Sequence, residues 1–433
     1  MEMLNNYQIS EKPCNIVQIG PLMESTRLSS GLDYYKPTMS QLAYEKERNT
    51  EVRFSFHNRG EQRLADYIDQ DALQQRFDNI RENGWAAEEL QYLASLKSNN
   101  GDRVFTNEYI EYIRTNEMPA FEVNYDEEID DISIEPQGPW ALVSFWETII
   151  LSEVNEAYFE GYMQANNIDL FEIYDEGNRR LSEKIAVLKE NPDIKFADFG
   201  TRRHFSLRWQ KHVVERLLDE CPENIVGTSN VGLADSLGTK PIGTFAHEMP
   251  MVYAGLAELR GENVRASHNK FLQDWDDRYP EDLLIALTDT FTTEFFFSDF
   301  TKEQAETWRG VRQDSGDPYE FGERLIKFYE DFGIDPAQKT VVFSDSLDID
   351  TIVSLHKAFK DKINVLFGWG TSLTNDLGFK ALNIVAKATY VEVPEAEEGV
   401  YTVKLSDDAG KHTGPPEQVK TYQENDNYFA IAA

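Results

Sequence analysis

VVFSDS, residues 341–346, is an apolar run that breaks into Ser, Asp and Ser, and four other stretches break in the same way: FADFGTRRHFS (196–206), ALTDTF (286–291), VRQDSGDP (311–318) and FGWGTSLTND (367–376). A short apolar run with such an ending reads as a buried strand that delivers polar groups to one face of a barrel. Candidate strands at 195–199, 224–227, 241–244, 283–288, 308–312, 340–344, 363–367 and 382–388 alternate with amphipathic helices. RWQKHVVERLLDE sets Trp209, Val213, Leu217 and Leu218 on one face, and FGERLIKFYEDFG does so with Phe321, Leu325, Phe328 and Phe332. This alternation predicts parallel strands with crossover helices, and a distorted, TIM-like α/β barrel accommodates that many units.

Upstream the rhythm differs. Residues 1–24 are polar and aperiodic, as in a surface extension. EVRFSFHN (51–58) has the period of a half-buried strand, residues 61–115 are helical with an Asn-Gly break, and FEVNYDEEIDDISIEP (121–136) returns to strand-like alternation around an acidic turn. These features predict an additional α+β domain over 1–137, followed by the α/β barrel over 138–390. A long apolar helix (140–160) and a charged one (175–190) begin the second part. Residues 391–433 read as a C-terminal segment with a strand hairpin that returns to the N-terminal domain.

With 433 residues, 41% hydrophobic and 12% aromatic, the chain can bury a barrel core and a smaller second domain. The most apolar stretch, WALVSFWETIILSEV (140–154), carries Glu147 and Glu153 and falls short of a membrane span. No secretory signal is visible, so the expected location is cytoplasmic. The two cysteines, Cys14 and Cys221, lie too far apart in sequence to suggest a zinc site or a disulfide framework. A net charge of −35 argues against nucleic acid or an anionic membrane as partner. Anionic substrates would therefore need cations gathered locally, and Arg202, Arg203, Arg208 and Arg312 fall in or beside the strand-end motifs.

PIGTFAHEMP (241–250) sets His247 after a Gly/Thr turn. Alone, such a histidine reads as a core or capping residue. Among these strand ends it becomes a candidate nucleophile able to accept a phosphoryl group. Asp289, Asp314, Asp317 and Asp345 could hold ribose hydroxyls or a magnesium ion, and each could equally cap a helix. Gly368, Gly370 and Thr371 could let the backbone approach a phosphate or simply form a turn. Arg312 could fork onto a carboxylate or phosphate.

With these residues in place, the chain resembles the nicotinate phosphoribosyltransferases, shorter bacterial type, from about residue 30 to 415. The resemblance rests on DYYK (33–36), GPW (138–140), DFGTRR (198–203), GTSN (227–230), GTFAHE (243–248), ALTD (286–289), RQDSGDP (312–318), VFSDSLD (342–348), FGWGT (367–371) and KLSD (404–407). It implies a type II phosphoribosyltransferase fold, a homodimer, and ATP-dependent synthesis of nicotinate mononucleotide from nicotinate and phosphoribosyl pyrophosphate, with Mg2+. By position it implies that His247 is phosphorylated by ATP, and that Tyr35 reaches across the dimer to stack on the pyridine ring. Arg312 would lie near the ring's acidic substituent, while Asp289, Asp314, Gly370 and Thr371 would hold the ribose phosphate and its metal. Asp198 and Arg202 would meet the base and phosphates. Arg203, Thr228, Ser229, Thr244, Ser315, Gly316, Asp345 and Gly368 fall in the same substrate-binding motifs. Met249 and His204 depart from the family pattern, where an aromatic and an arginine are expected. The neighbouring readings are a nicotinamide-preferring enzyme of the same fold and a catalytically silent nucleotide-binding regulator.

Overall fold

The computed structural model describes residues 27–280 and 283–430, so the extension at 1–24 lies outside the described residues. The first part contains helix α1 (Tyr35–Lys46), strand β1 (Glu51–Asn58), helices α2 (Gln70–Asn83), α3 (Ala87–Ser95) and α4 (Asn107–Thr115), the hairpin β2 (Val123–Asp126) and β3 (Asp131–Ile134), and strand β4 (Gln137–Pro139). Asp69 and Thr106 cap α2 and α4 by accepting from backbone N–H groups, and α2 ends at Gly84, whose φ of 55° suits the Asn-Gly break. The long apolar helix is two pieces, α5 (Trp140–Val143) and α6 (Trp146–Asn166), followed by α7 (Leu170–Glu190).

The barrel strands are β5 (Phe196–Asp198), β6 (Ile225–Thr228), β7 (Ile285–Leu287), β8 (Gly310–Gln313), β9 (Thr340–Phe343) and β10 (Asn364–Trp369), all parallel in the order β6-β5-β10-β9-β8-β7. Their crossover helices include α8 (Leu207–Glu220), α9 (Val231–Leu237), α10 (Glu248–Leu259), α11 (Ser267–Arg278), α12 (Thr293–Asp299), α13 (Lys302–Thr307), α14 (Pro318–Asp331) and α15 (Ile349–Phe359), and the short α16 (Thr371–Thr374) follows β10. Residues 241–244, expected as a strand, form none. Pro241 has no N–H to give a ladder, and the segment instead makes a bridge at Thr228, passes its Ile242 N–H to the Thr228 carbonyl, and reaches β7 through Thr244 Oγ1 to the Ile285 carbonyl at 3.1 Å. It thus spans the gap between the two outer strands of the sheet.

Residues 382–388 do not join the barrel. Strand β11 (Ile384–Glu392) runs antiparallel to β1, pairing Phe56 with Ala386 and Ser55 with Lys387, in a four-stranded sheet of order β12-β11-β1-β4, where β12 is Val400–Tyr401. The run IVAKATYVE is mostly apolar and largely buried, which a purely local pattern does not distinguish from a barrel strand. Beyond β12 the tail departs from the expected return. Helix α17 (Pro416–Glu424) and Phe429 pack with Ala254, Ala257, Phe291 and Phe295 on the barrel side, Phe429 stacking on Phe291 with centroids 3.6 Å apart. Among the described residues no helix is long and apolar enough to cross a membrane.

Candidate active site

Because the six barrel strands are parallel, their C-terminal ends emerge on one face, and β11 lies over that face. The space between is a cleft of about 1060 Å3. Its lining brings together nine of the residues singled out in the sequence: Arg202, Arg203, His247, Arg312, Asp314, Asp345, Gly368, Gly370 and Thr371. Seven basic side chains (Arg59, Arg202, Arg203, Arg312, Lys387, Lys404 and Lys411) face five acidic ones (Glu147, Asp314, Asp345, Asp348 and Asp376). The cleft is therefore cationic inside a strongly acidic chain.

His247 is buried at the start of α10. Its Nδ1 lies 3.0 Å from Thr290 Oγ1, and its Nε2 lies 2.9 Å from Lys404 Nζ, 3.2 Å from Asp314 Oδ2 and 3.7 Å from Asp289 Oδ1. Lys404, the nearer partner of Nε2, only donates, so Nε2 carries a lone pair and Nδ1–H donates to Thr290, while the ionised Asp314 makes a close contact with Nε2 and no hydrogen bond. Burial, reinforced by the Lys404 charge, pulls His247 down to about 4, so the ring is neutral at physiological pH. Lys404 also lies 3.1 Å from Asp289 Oδ2. Burial opposes ionisation of Asp289 and Asp314, but the Lys404 charge holds Asp289 below the usual carboxylate range, and the Arg312 and Lys404 charges hold Asp314 lower still.

Asp289 Oδ1 is buried without a hydrogen-bond partner, and one ligand atom from each of His247, Asp289 and Asp314 lies within 4.8 Å of the others. Two carboxylates converging on one point, with an unpaired buried oxygen, fit a hard divalent cation such as magnesium. Ser315 Oγ donates to Asp289 Oδ2 at 2.8 Å and so positions that carboxylate. Gly316, at φ 76°, shapes the turn after β8, and its carbonyl accepts from Gln313 Nε2.

Several expected site residues turn out to hold the scaffold. Asp198 is fully buried and accepts from Gly200 N–H at 2.8 Å, Gln210 Nε2 at 2.8 Å and Thr228 Oγ1 at 2.6 Å; burial pushes it up to about 6. It fastens the loop that carries Arg202 and Arg203 and does not line the cleft. Thr228 is committed to it, and Ser229 Oγ donates to Asp33 at 2.5 Å. Asp317 caps α14 through the N–H groups of Tyr319 and Glu320, so the capping reading holds there. Tyr35 is 5% exposed, with its ring 5.7 Å from the guanidinium of its own chain's Arg202, so it is packed inside the chain and not extended from its surface. His204, which departs from the family pattern, precedes α8. It is locked between Ser152 Oγ at 3.0 Å and Gln210 Oε1 at 2.8 Å, which in turn supports Asp198. Gly368 is required by packing, since a Cβ there would stand 2.4 Å from the Phe199 ring.

Sequence reasoning missed four cleft cations. Lys404 stands in the KLSD motif but received no role, and Lys411 follows it in the tail. Lys387 is a lone lysine in the apolar run of β11, and burial pulls it down to about 7. Arg59 directly follows β1. A lysine interrupting an otherwise apolar alternating strand is the signal that could have revealed Lys387.

The sequence model of the nicotinate phosphoribosyltransferase (NAPRTase) family matches residues 194–428, and that of the NAPRTase N-terminal domain matches residues 32–155. Among solved structures, the nicotinate phosphoribosyltransferase of Porphyromonas gingivalis is 28% identical with a TM-score of 0.81, covering 91% of this chain and 97% of that one. That of Vibrio cholerae is 27% identical with a TM-score of 0.78, covering 91% of each chain.

Proposed function

Since the chain belongs to the nicotinate phosphoribosyltransferase family, we propose that it transfers ribose 5-phosphate from phosphoribosyl pyrophosphate to the ring nitrogen of nicotinate, in NAD salvage, and couples the transfer to ATP through phosphorylation of His247. The observation that carries the coupling is the neutral imidazole of His247 at a helix start, between Thr290 and Lys404 and open to a cationic cleft. A neutral ring keeps a lone pair with which to attack the terminal phosphorus of ATP, releasing ADP. The phosphoryl group brings roughly −1.5 to −2 charges if it behaves as on other side chains. It sits at the N-terminal end of α10, which favours negative charge, beside Lys404. Water later cleaves the phosphohistidine to release phosphate.

For the ribosyl step, the chain's task is positioning and charge compensation. Arg202, Arg203 and Lys387 offset the pyrophosphate that leaves, the Gly370–Thr371 turn receives a phosphate at the start of α16, and Arg312 faces the nicotinate carboxylate. Magnesium held by Asp289 and Asp314 would neutralise charge on the leaving pyrophosphate. The reading includes a homodimer in the cytoplasm. The test is product formation from phosphoribosyl pyrophosphate with nicotinate or nicotinamide, with and without ATP, following ADP alongside. Nicotinate turnover with matched ADP release is expected, and His247→Ala should abolish phosphoenzyme and ATP stimulation while leaving weak ATP-independent transfer. Unchanged ATP coupling in that variant would remove His247 from its role.

A further inference from the structure

Arg202 stands between two buried carboxylates, yet each has its shortest contact elsewhere. Asp33 Oδ2 lies 3.3 Å from Arg202 Nε, without hydrogen-bond alignment, while Asp33 Oδ1 accepts from Ser229 at 2.5 Å. Glu147 Oε1 lies 3.7 Å from Arg202 Nη1, while Glu147 Oε2 lies 2.6 Å from Lys36 Nζ. The Lys36 side chain is wholly buried and also donates to Glu248 Oε2 at 2.5 Å and Ser144 Oγ at 3.2 Å. Glu248 does not depend on it alone, since it accepts from Trp140 Nε1 at 2.7 Å and Ser144 Oγ at 3.1 Å. A buried ammonium between two carboxylates is weak evidence for stability, because desolvation offsets the attraction. What distinguishes this one is its second neighbour along the chain of charges, Arg202, which opens onto the cleft.

We propose that Lys36 is a positioning residue: it holds Glu147 away from Arg202 and so keeps that guanidinium available to an anionic substrate group, the ring carboxylate or a phosphate. The inference rests on the anionic substrates of the proposed reaction. Without Lys36, Glu147 would remain buried with Arg202 among its nearest cations. A carboxylate that turns onto a guanidinium forms a bidentate pair and cancels its charge. The ranking of forces agrees, for although burial opposes the Glu147 charge, Lys36 does more than Lys387 or Arg202 to hold Glu147 below the usual carboxylate range. Ser229 does for Asp33 what Lys36 does for Glu147, so both acids beside Arg202 are engaged elsewhere.

The experiment compares Lys36→Met, Lys36→Met/Glu147→Gln and Lys36→Met/Glu248→Gln with the full-length wild type, separating KM from kcat for nicotinate and for phosphoribosyl pyrophosphate. Lys36→Met should raise KM for at least one anionic substrate roughly tenfold, the scale of one lost charge-assisted hydrogen bond. The second change at Glu147 should restore it, and the change at Glu248 should not. A KM unaltered in Lys36→Met, or a defect that removing Glu147 fails to correct, overturns the proposal. Should Lys36→Met not fold, the two double variants decide it, since only the one lacking Glu147 should keep the wild-type KM. If wild type turns over neither pyridine, the proposed reaction is what has failed. Calorimetric titration of the same proteins with nicotinate and with inorganic pyrophosphate then tests Lys36, with the same order of affinities expected and equal affinities refuting it.

Discussion

Replacing Lys404 with methionine removes the ammonium that lies 2.9 Å from His247 Nε2 and 3.1 Å from Asp289 Oδ2. Two consequences follow. Asp289 is left buried with only hydroxyl partners, and breaking one side of a buried charge pair typically costs about 3–5 kcal/mol. His247 compensates by taking up a proton, because Asp289 and Asp314 both favour imidazolium and Lys404 no longer opposes it. In wild type the ring, at about 4, is roughly 99% neutral at pH 6. Burial still opposes the imidazolium in the variant, and if Asp289 and Asp314 offset it so that the ring stands at the ordinary value of about 6.5, roughly a quarter is neutral at pH 6 and nearly all at pH 8. Only the neutral ring can accept a phosphoryl group, so phosphoenzyme formation from ATP should fall about fourfold between pH 8 and pH 6 in the variant, on that titration alone. In wild type it should stay flat over that range. Radiolabelled phosphoenzyme captured after a fixed short time measures both proteins. A variant with the same flat profile would show that Lys404 does not govern the protonation of His247, and the assignment of its lone pair would fall with it.

Gly368→Ala should displace the Phe199 ring, which lines the cleft and would stand 2.4 Å from the added methyl, at a cost of about 1–3 kcal/mol for overpacking. A lower melting temperature with a raised KM for phosphoribosyl pyrophosphate is expected, partly relieved by Phe199→Leu, and a double variant no better than the single contradicts the steric cause. Glu156 is buried with one oxygen unpartnered and the other accepting from the Leu207 N–H, and burial followed by the Glu153 charge raises its pKa well above the usual carboxylate range. Since the folded state keeps this proton longer than the unfolded one, wild type loses stability as pH rises above about 4.5. Glu156→Gln should therefore gain in melting temperature over wild type by more at pH 8 than at pH 5, and an equal difference at both pH values would refute the linkage.

The barrel was legible because strand ends announce themselves locally. An apolar run that stops at Asp, Ser or Gly needs no distant information, and five such stretches delivered Arg202, Asp289, Arg312, Asp345 and Gly370 to the same face. What local pattern cannot supply is the partner. NIVAKATYVE (383–392) reads as a strand whichever sheet it joins, and its pairing with β1, more than 300 residues earlier, was decided by packing of both chain regions. The same limit explains Asp198. In sequence it is one more aspartate at a strand end, like Asp314. Only the convergence of Gln210, Thr228 and the Gly200 N–H makes one of them a buried fastening while the other faces the cleft. Asp317 differed for a local reason that was visible, since Pro318 at the first helical position marks a capping site.

The charge of the cleft shows why the barrel alone is insufficient. Of its lining cations, the barrel segments supply Arg202, Arg203 and Arg312, set against Asp314, Asp345, Asp348 and Asp376 on neighbouring strand ends and loops. That mouth by itself would repel phosphates, as the chain's overall charge of −35 would. Arg59 beyond β1, Lys387 on β11, and Lys404 and Lys411 in the tail reverse the balance. Screening confines these interactions to about 8–10 Å at physiological salt, so the cations act only once the antiparallel sheet and the tail have folded over the strand ends. Lys404 ties the two levels together. It comes from the tail, it meets His247 and Asp289 from the barrel, and it both supplies charge to the cleft and keeps the histidine neutral. Assembly of the second sheet and the tail on the barrel is thus the step that turns an acidic surface into a cationic cleft and sets Lys404 beside the imidazole, as the proposed phosphoryl transfer requires.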